Sequence, residues 1–177
     1  SADGSSLPDI ERRLALADTT LRRMRKIVFN WSLPRWIRMR VLMSFAYPVA
    51  TYGCETWTLK NEEKQTLRVW WMKVLRRIYG VTTWDKVRNT EIRNALKCSD
   101  IVDMVEYRRR KYLGHIYRYP KERIVKRILG TTWNVGAKHK RGPKVTWMSM
   151  TKKDLTLTGL DLRDHKNKWR RDVDQLF

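Results

Sequence analysis

An all-α, mainly helical fold is what the sequence predicts, on three observations. Apolar residues recur at three- and four-residue spacing along most of the chain, prolines and glycines punctuate those runs, and alternating Val/Ile/Thr stretches are scarce. With 177 residues the chain has room for one domain or two small ones. Chains near this size bury roughly 70% of the surface they would expose unfolded, so the core needs no covalent staple. The two cysteines, Cys54 and Cys98, lie far apart and are too few for a disulfide framework, which points to a reducing nuclear or cytoplasmic compartment. The opening "SADGSS" has no Met and reads as a processed or excised piece of a longer chain.

A first helix is expected from Ser6, which with Asp9 forms a variant capping box, and Pro8 sits in its opening turn. Leu14, Ala17, Leu21, Met24 and Val28 share one face, opposite Arg12, Arg13, Arg22, Arg23, Arg25 and Lys26. A second helix is expected after Ser32, with Pro34 in its first turn and Ile37, Val41, Leu42 and Phe45 along it, ending at Tyr47 before Pro48. The stretch "VATYGCETWTL", residues 49–59, suits a short strand, a helical turn or a buried connector equally.

Asn61 is the expected cap of the strongest helix. Glu62 and Glu63 complement its positive end, Leu67, Trp70, Trp71, Val74, Leu75 and Ile78 form its stripe, and Gly80 suits a left-handed C-terminal position. Short helical patterns follow at Thr90–Leu96 and beyond Pro120, on either side of a longer one from Ser99 to Tyr117. "GAKHKRGPK", residues 136–144, reads as an exposed loop. An apolar patch from Val145 to Met150 and a last helix carrying Leu162, His165, Trp169, Val173 and Leu176 complete the chain.

Thirty-nine Lys and Arg against eighteen Asp and Glu give a net charge of +21 and point to a partner of dense negative charge over a basic protein that is merely soluble. Nucleic acid fits better than a membrane, because no apolar run approaches the roughly 20 residues of a spanning helix. The candidate phosphate-binding residues are Arg22, Arg23, Arg25 and Lys26, then Arg76 and Arg77, then Arg108, Arg109, Arg110 and Lys111, and finally Lys138, Lys140, Arg141 and Lys144 in the exposed loop. Four successive cations at 108–111 are expected to spread round a solvent face and repel one another until phosphates neutralise them.

Catalytic chemistry leaves no comparable trace. There is no phosphate-binding or dinucleotide glycine loop, no GxSxG turn, and no CxxC or HxxxH pair. His115 lacks a visible nucleophile or orienting carboxylate and reads as a packing residue or a helix-terminal cation. Trp70, Trp71 and Trp169 read as core, whereas Trp133 and Trp147 flank the basic loop where unpaired bases could stack. No catalytic residue, metal ligand or cofactor is therefore expected within this chain.

Several stretches, in order, resemble the region after the palm in non-long-terminal-repeat (LINE-type) retrotransposon reverse transcriptases. They are "YGCETWTL", a helix ending "LRRIYGV", "DKVRNTEI", "RRRKYLGHIYRYP", "KRGPKVTW" and "KWRRDV". The opening "ADGSSLPDIERRLALADTTLRRM" is similar to that family's palm-to-thumb passage, so the likeness spans almost the whole chain. The resemblance implies a thumb-like helical bundle over residues 1–80 and a second helical, basic, nucleic-acid-binding region over 81–177. The family's polymerase site holds two metal ions on a Tyr-x-Asp-Asp turn and a further aspartate, and this sequence has no Asp-Asp pair. What the resemblance implies is thus a noncatalytic C-terminal part, with Mg2+ belonging to the palm of the parent polypeptide. Its partners would be RNA or DNA, held largely without sequence preference, and the remainder of the reverse transcriptase. A stand-alone, domesticated DNA-binding module with one helix in the major groove is the alternative. An intact nuclease and a degenerate element remnant are further readings.

Overall fold

The computed structural model describes residues 5–130 and 147–158 and, beyond them, the helical residues Lys168, Arg171, Val173 and Asp174. Every regular element among the described residues is helical, with no strand, so the fold is mainly α as expected. The helices are α1 (Leu7–Arg23), α2 (Arg25–Val28), α3 (Arg35–Val41), α4 (Tyr47–Ala50), α5 (Asn61–Tyr79), α6 (Asn89–Leu96), α7 (Ile101–Tyr117), α8 (Ile124–Gly130) and α9 (Trp147–Thr158). None of the described helices is long and apolar enough to cross a membrane. The chain forms two compact units, Ser1–Cys54 with Leu59–Met104, and Glu55–Thr58 with Val105–Phe177. The division falls within α7.

The first unit is organised by α5. Leu67, Trp70, Trp71, Val74, Leu75 and Ile78 are all buried, as their spacing predicts, and α1 contributes Ile10, Leu14, Ala17 and Leu21. Each fully buried Leu or Ile is worth about 1.5–3 kcal/mol relative to exposure. The two indoles also satisfy their polar ends: Trp70 Nε1 donates to Asp18 Oδ1 at 2.9 Å and Trp71 Nε1 to the Ser99 carbonyl at 3.2 Å. Gly80 ends α5 at φ +95°, its N–H donating to the Arg76 carbonyl at 2.8 Å.

Three local expectations are corrected. Ser6 makes no side-chain cap; Ser5 Oγ accepts from the Leu7 N–H at 3.2 Å instead, and the Ser6 N–H donates to Glu63 Oε1 at 2.8 Å. Asn61 is the first helical residue of α5 and not its cap, because Glu63 Oε2 reaches back to the Lys60 N–H at 2.6 Å. Glu63 is therefore not a surface charge facing the helix dipole: only 1% exposed, it joins the starts of α1 and α5.

The third correction concerns Pro48. The chain does not break at Tyr47 but passes through a π turn at Leu42–Ala46 straight into α4, with Pro48 in its first turn. Proline supplies no N–H and its ring crowds the carbonyl four residues back, and the wider π turn relieves both before they can end the helix. Leu42, Ala46 and Ala50 stay buried along this continuous path. Residues 49–59, which the sequence left open, close α4, turn at Gly53 with φ +71°, and form a 3-10 turn at Cys54–Thr56.

In the second unit α7 buries Val105, Leu113 and Ile116. The apolar patch before Met150 opens α9, where Trp147 Nε1 donates to the Glu55 carbonyl at 2.7 Å and its ring meets Tyr112 edge-on at 6.5 Å. That indole is held as a packing group. The basic loop with Lys138, Lys140, Arg141 and Lys144, and also Trp133 and Trp169, lie outside the described residues.

Candidate nucleic-acid interface

A cation that already faces a carboxylate has little left to offer a phosphate, so the arginines and lysines separate by what holds them. Arg13 pairs with Asp9 at 3.4 Å, Arg68 and Arg93 share Asp100 Oδ2 at 3.0 and 2.9 Å, Arg108 pairs with Glu55 at 2.8 Å, and Lys111 with Asp174 at 2.8 Å. The hydrogen bond to Asp174 raises the Lys111 pKa, assisted by the Tyr107 hydroxyl. Arg76 pins the segment before α6, donating to the Thr82 and Val87 carbonyls at 3.3 and 3.0 Å and to Asn89 Oδ1 at 2.7 Å.

The run 108–111 does not fan out into solvent as expected. Arg109 is fully buried and Arg110 nearly so, while Arg108 and Lys111 are half-buried in the ion pairs just described. The cause lies in helix geometry: Arg109 is four residues from both Val105 and Leu113 and so occupies the buried stripe of α7. Its aliphatic stem packs as an apolar group would.

One group of cations without a carboxylate partner among the described residues lies in the first unit. Arg22, Arg23, Arg25 and Lys26 are exposed at the end of α1 and along α2, and only Arg22 is engaged, through Thr19 Oγ1 at 2.9 Å. Arg77, near the end of α5, lies 3.8 Å from the centre of the Phe29 ring just beyond α2. The structure adds two residues that sequence reasoning missed. Arg35 lies 4.6 Å from the centre of the Tyr79 ring, and Arg38 lies 5.0 Å from that of Trp31.

Arg38 is only 3% exposed, and neither its Nε nor its Nη1 has a hydrogen-bond partner. Burial, with a smaller contribution from Arg35, lowers its pKa. The spacing Arg38, Leu42, Ala46, Ala50 placed it on an apolar stripe and was the available signal. Five of the fourteen expected contact residues, Arg22, Arg23, Arg25, Lys26 and Arg77, are thus exposed without a carboxylate partner among the described residues, and Arg77 lies beside Phe29 just beyond α2.

A groove of about 670 Å³ runs beside α5, lined by Arg68, Met72, Lys73, Arg76, Arg77 and Thr82 among others. Its floor is partly apolar, and Lys73 and Arg77 are exposed cations along it without a described ion-pair partner. Among the described residues no three His, Cys, Asp or Glu side chains gather as a metal site would require. His115 is exposed in the last turn of α7, its ring edge-on to Tyr119 at 4.7 Å. Cys54 is buried, and burial pushes the half-buried Cys98 thiol up to about 11 against the opposing charge of Arg93. Cys98 alkylation should therefore still climb about tenfold per pH unit from pH 7 to 9, where an ordinary thiol levels off near about 8.5. A plateau in the Cys98 rate below pH 9 would refute the shift.

No family model, curated protein or solved structure matches this chain.

Proposed function

We propose that this chain is a noncatalytic nucleic-acid-holding part of a larger polypeptide, gripping RNA, DNA or their hybrid through phosphate contacts. The parent would be the LINE-type reverse transcriptase that the sequence motifs resemble, its palm supplying the metal-dependent chemistry. The observation that carries the reading is the set of exposed cations without carboxylate partners among the described residues, Arg22, Arg23, Arg25, Lys26 and Arg77, within a chain of net charge +21. Such a set costs self-repulsion in the free protein and regains it when phosphates approach and condensed counterions leave.

The test is salt dependence. If those five side chains each neutralise one phosphate, log K against log salt should fall with a slope of about −4.5 on duplex DNA. The double substitution Arg25→Glu, Lys26→Glu should flatten that slope by about two units and weaken binding alike on unrelated sequences. A wild-type slope near zero between about 50 and 200 mM salt would end the reading. A selection from random duplexes that returned a sharp consensus would transfer it to the stand-alone module.

A further inference from the structure

We propose that the surface formed by the turn at residues 30–33, the start of α3 and the end of α5 binds unpaired nucleotides of a single strand. One base stacks on Trp31, whose inner face is backed by the Arg38 cation, and the flanking phosphates are taken by the exposed Arg35 and Arg77. The inference rests on the nucleic-acid reading above and narrows it to a site and a strand state.

Trp31 is 63% exposed, yet it is held in place. Asn30 Oδ1 accepts from the Ser32 N–H at 2.9 Å, and the Leu33 N–H closes the turn on the Asn30 carbonyl at 3.2 Å, leaving Trp31 at its tip. The far edge of the indole lies against Gly80, where an added Cβ would come within 2.1 Å of Cη2 and 2.3 Å of Cζ3. The left-handed backbone of Gly80 and the close approach of the ring are two separate reasons for glycine at this position. The Arg38 guanidinium lies beneath the ring at 5.0 Å.

A single exposed tryptophan is ordinary. Three arginines, each laid against an aromatic ring and none with a carboxylate partner among the described residues, are not. Arg38 makes the stronger case, because a buried guanidinium with two unbonded nitrogens is a costly group for stability alone. Stacking faces interleaved with uncompensated cations are what a single strand requires, since every base has a flat face and every linkage a charge. A duplex already spends its base faces internally, and an acidic peptide offers charge without flat rings.

Fluorescence anisotropy on the full 177-residue chain tests this, using a labelled dT oligonucleotide, a mixed-sequence duplex and a poly-glutamate peptide at about 50 mM salt. Trp31→Ala should weaken single-strand binding by roughly 5- to 100-fold and change duplex binding less than about twofold. Trp31→Phe should recover part of the loss. Trp36→Ala removes an indole of similar exposure, 65%, that has no described cation beneath it, and should leave both affinities in place. The inference fails if Trp31→Ala leaves the ratio of single-strand to duplex affinity unchanged, or weakens binding of all three probes equally. A wild-type chain that binds neither nucleic acid overturns the phosphate-holding reading itself, a result distinct from a wild-type chain that binds both with Trp31 irrelevant.

Discussion

Replacing Glu63 with Ala is expected to cost about 3–5 kcal/mol of stability, the largest effect of any single polar substitution in the first unit. Its carboxylate accepts three hydrogen bonds, from the Lys60 N–H at 2.6 Å, the Ser6 N–H at 2.8 Å and the Ser5 hydroxyl at 2.9 Å. Removing it takes away three hydrogen bonds at the starts of α1 and α5 in a nearly closed setting, and each such loss is worth about 1–3 kcal/mol before relaxation. Glu63→Gln keeps one acceptor oxygen and loses the charge, so roughly half that cost is expected. The adjacent Glu62 is exposed and acts on the helix only through its dipole, so Glu62→Ala should cost about 0.3–1 kcal/mol. Urea unfolding monitored by circular dichroism decides the matter. Equal midpoints for Glu62→Ala and Glu63→Ala would mean that the junction of α1 and α5 does not depend on this carboxylate.

The contrast between those neighbours shows what could be read from the sequence. The α5 stripe was legible because Leu67, Trp70, Trp71, Val74 and Leu75 repeat at helical spacing, and Gly80 because a left-handed residue is needed just past such a run. Glu63 belongs to the same stripe, four residues before Leu67, but two consecutive glutamates at a helix start look like dipole partners by composition. Arg109 on α7 and Arg38 ahead of Leu42 repeat the case. A charge at a stripe position goes inward whatever its type, and the expectation that four cations in a row must face water ignored that geometry. Pro48 was misread for another reason. The rule that proline ends a helix assumes a regular α path, and nothing local announces the π turn that accommodates it. The set of uncompensated cations was half legible. α1 displayed its basic face openly, whereas the meeting of Arg77 with Phe29 and of Arg35 with Tyr79 depends on how α3 packs against α5.

Asp100→Ala should cost about 2–4 kcal/mol, because one side chain performs two tasks at the start of α7. Its Oδ1 accepts from the Val102 N–H at 2.9 Å as a helix cap, and its Oδ2 receives Arg68 from α5 at 3.0 Å and Arg93 from α6 at 2.9 Å. Serine at this position can cap but cannot neutralise, so the difference between Asp100→Ser and Asp100→Ala isolates the cap, expected at about 1 kcal/mol. The remainder belongs to the two guanidinium contacts. Arg68 is nearly half exposed and is discounted for screening by water, which leaves Arg93 as the stronger partner. Raising salt should therefore narrow the gap between wild type and Asp100→Ser only slightly, and full closure would mean that the pairs are surface contacts after all. The same substitution frees Arg68, which lines the groove beside Lys73, and removes a negative charge. On the phosphate-holding reading, the less stable Asp100→Ser chain should bind polynucleotide more tightly at low salt, separating stability from affinity in a single variant.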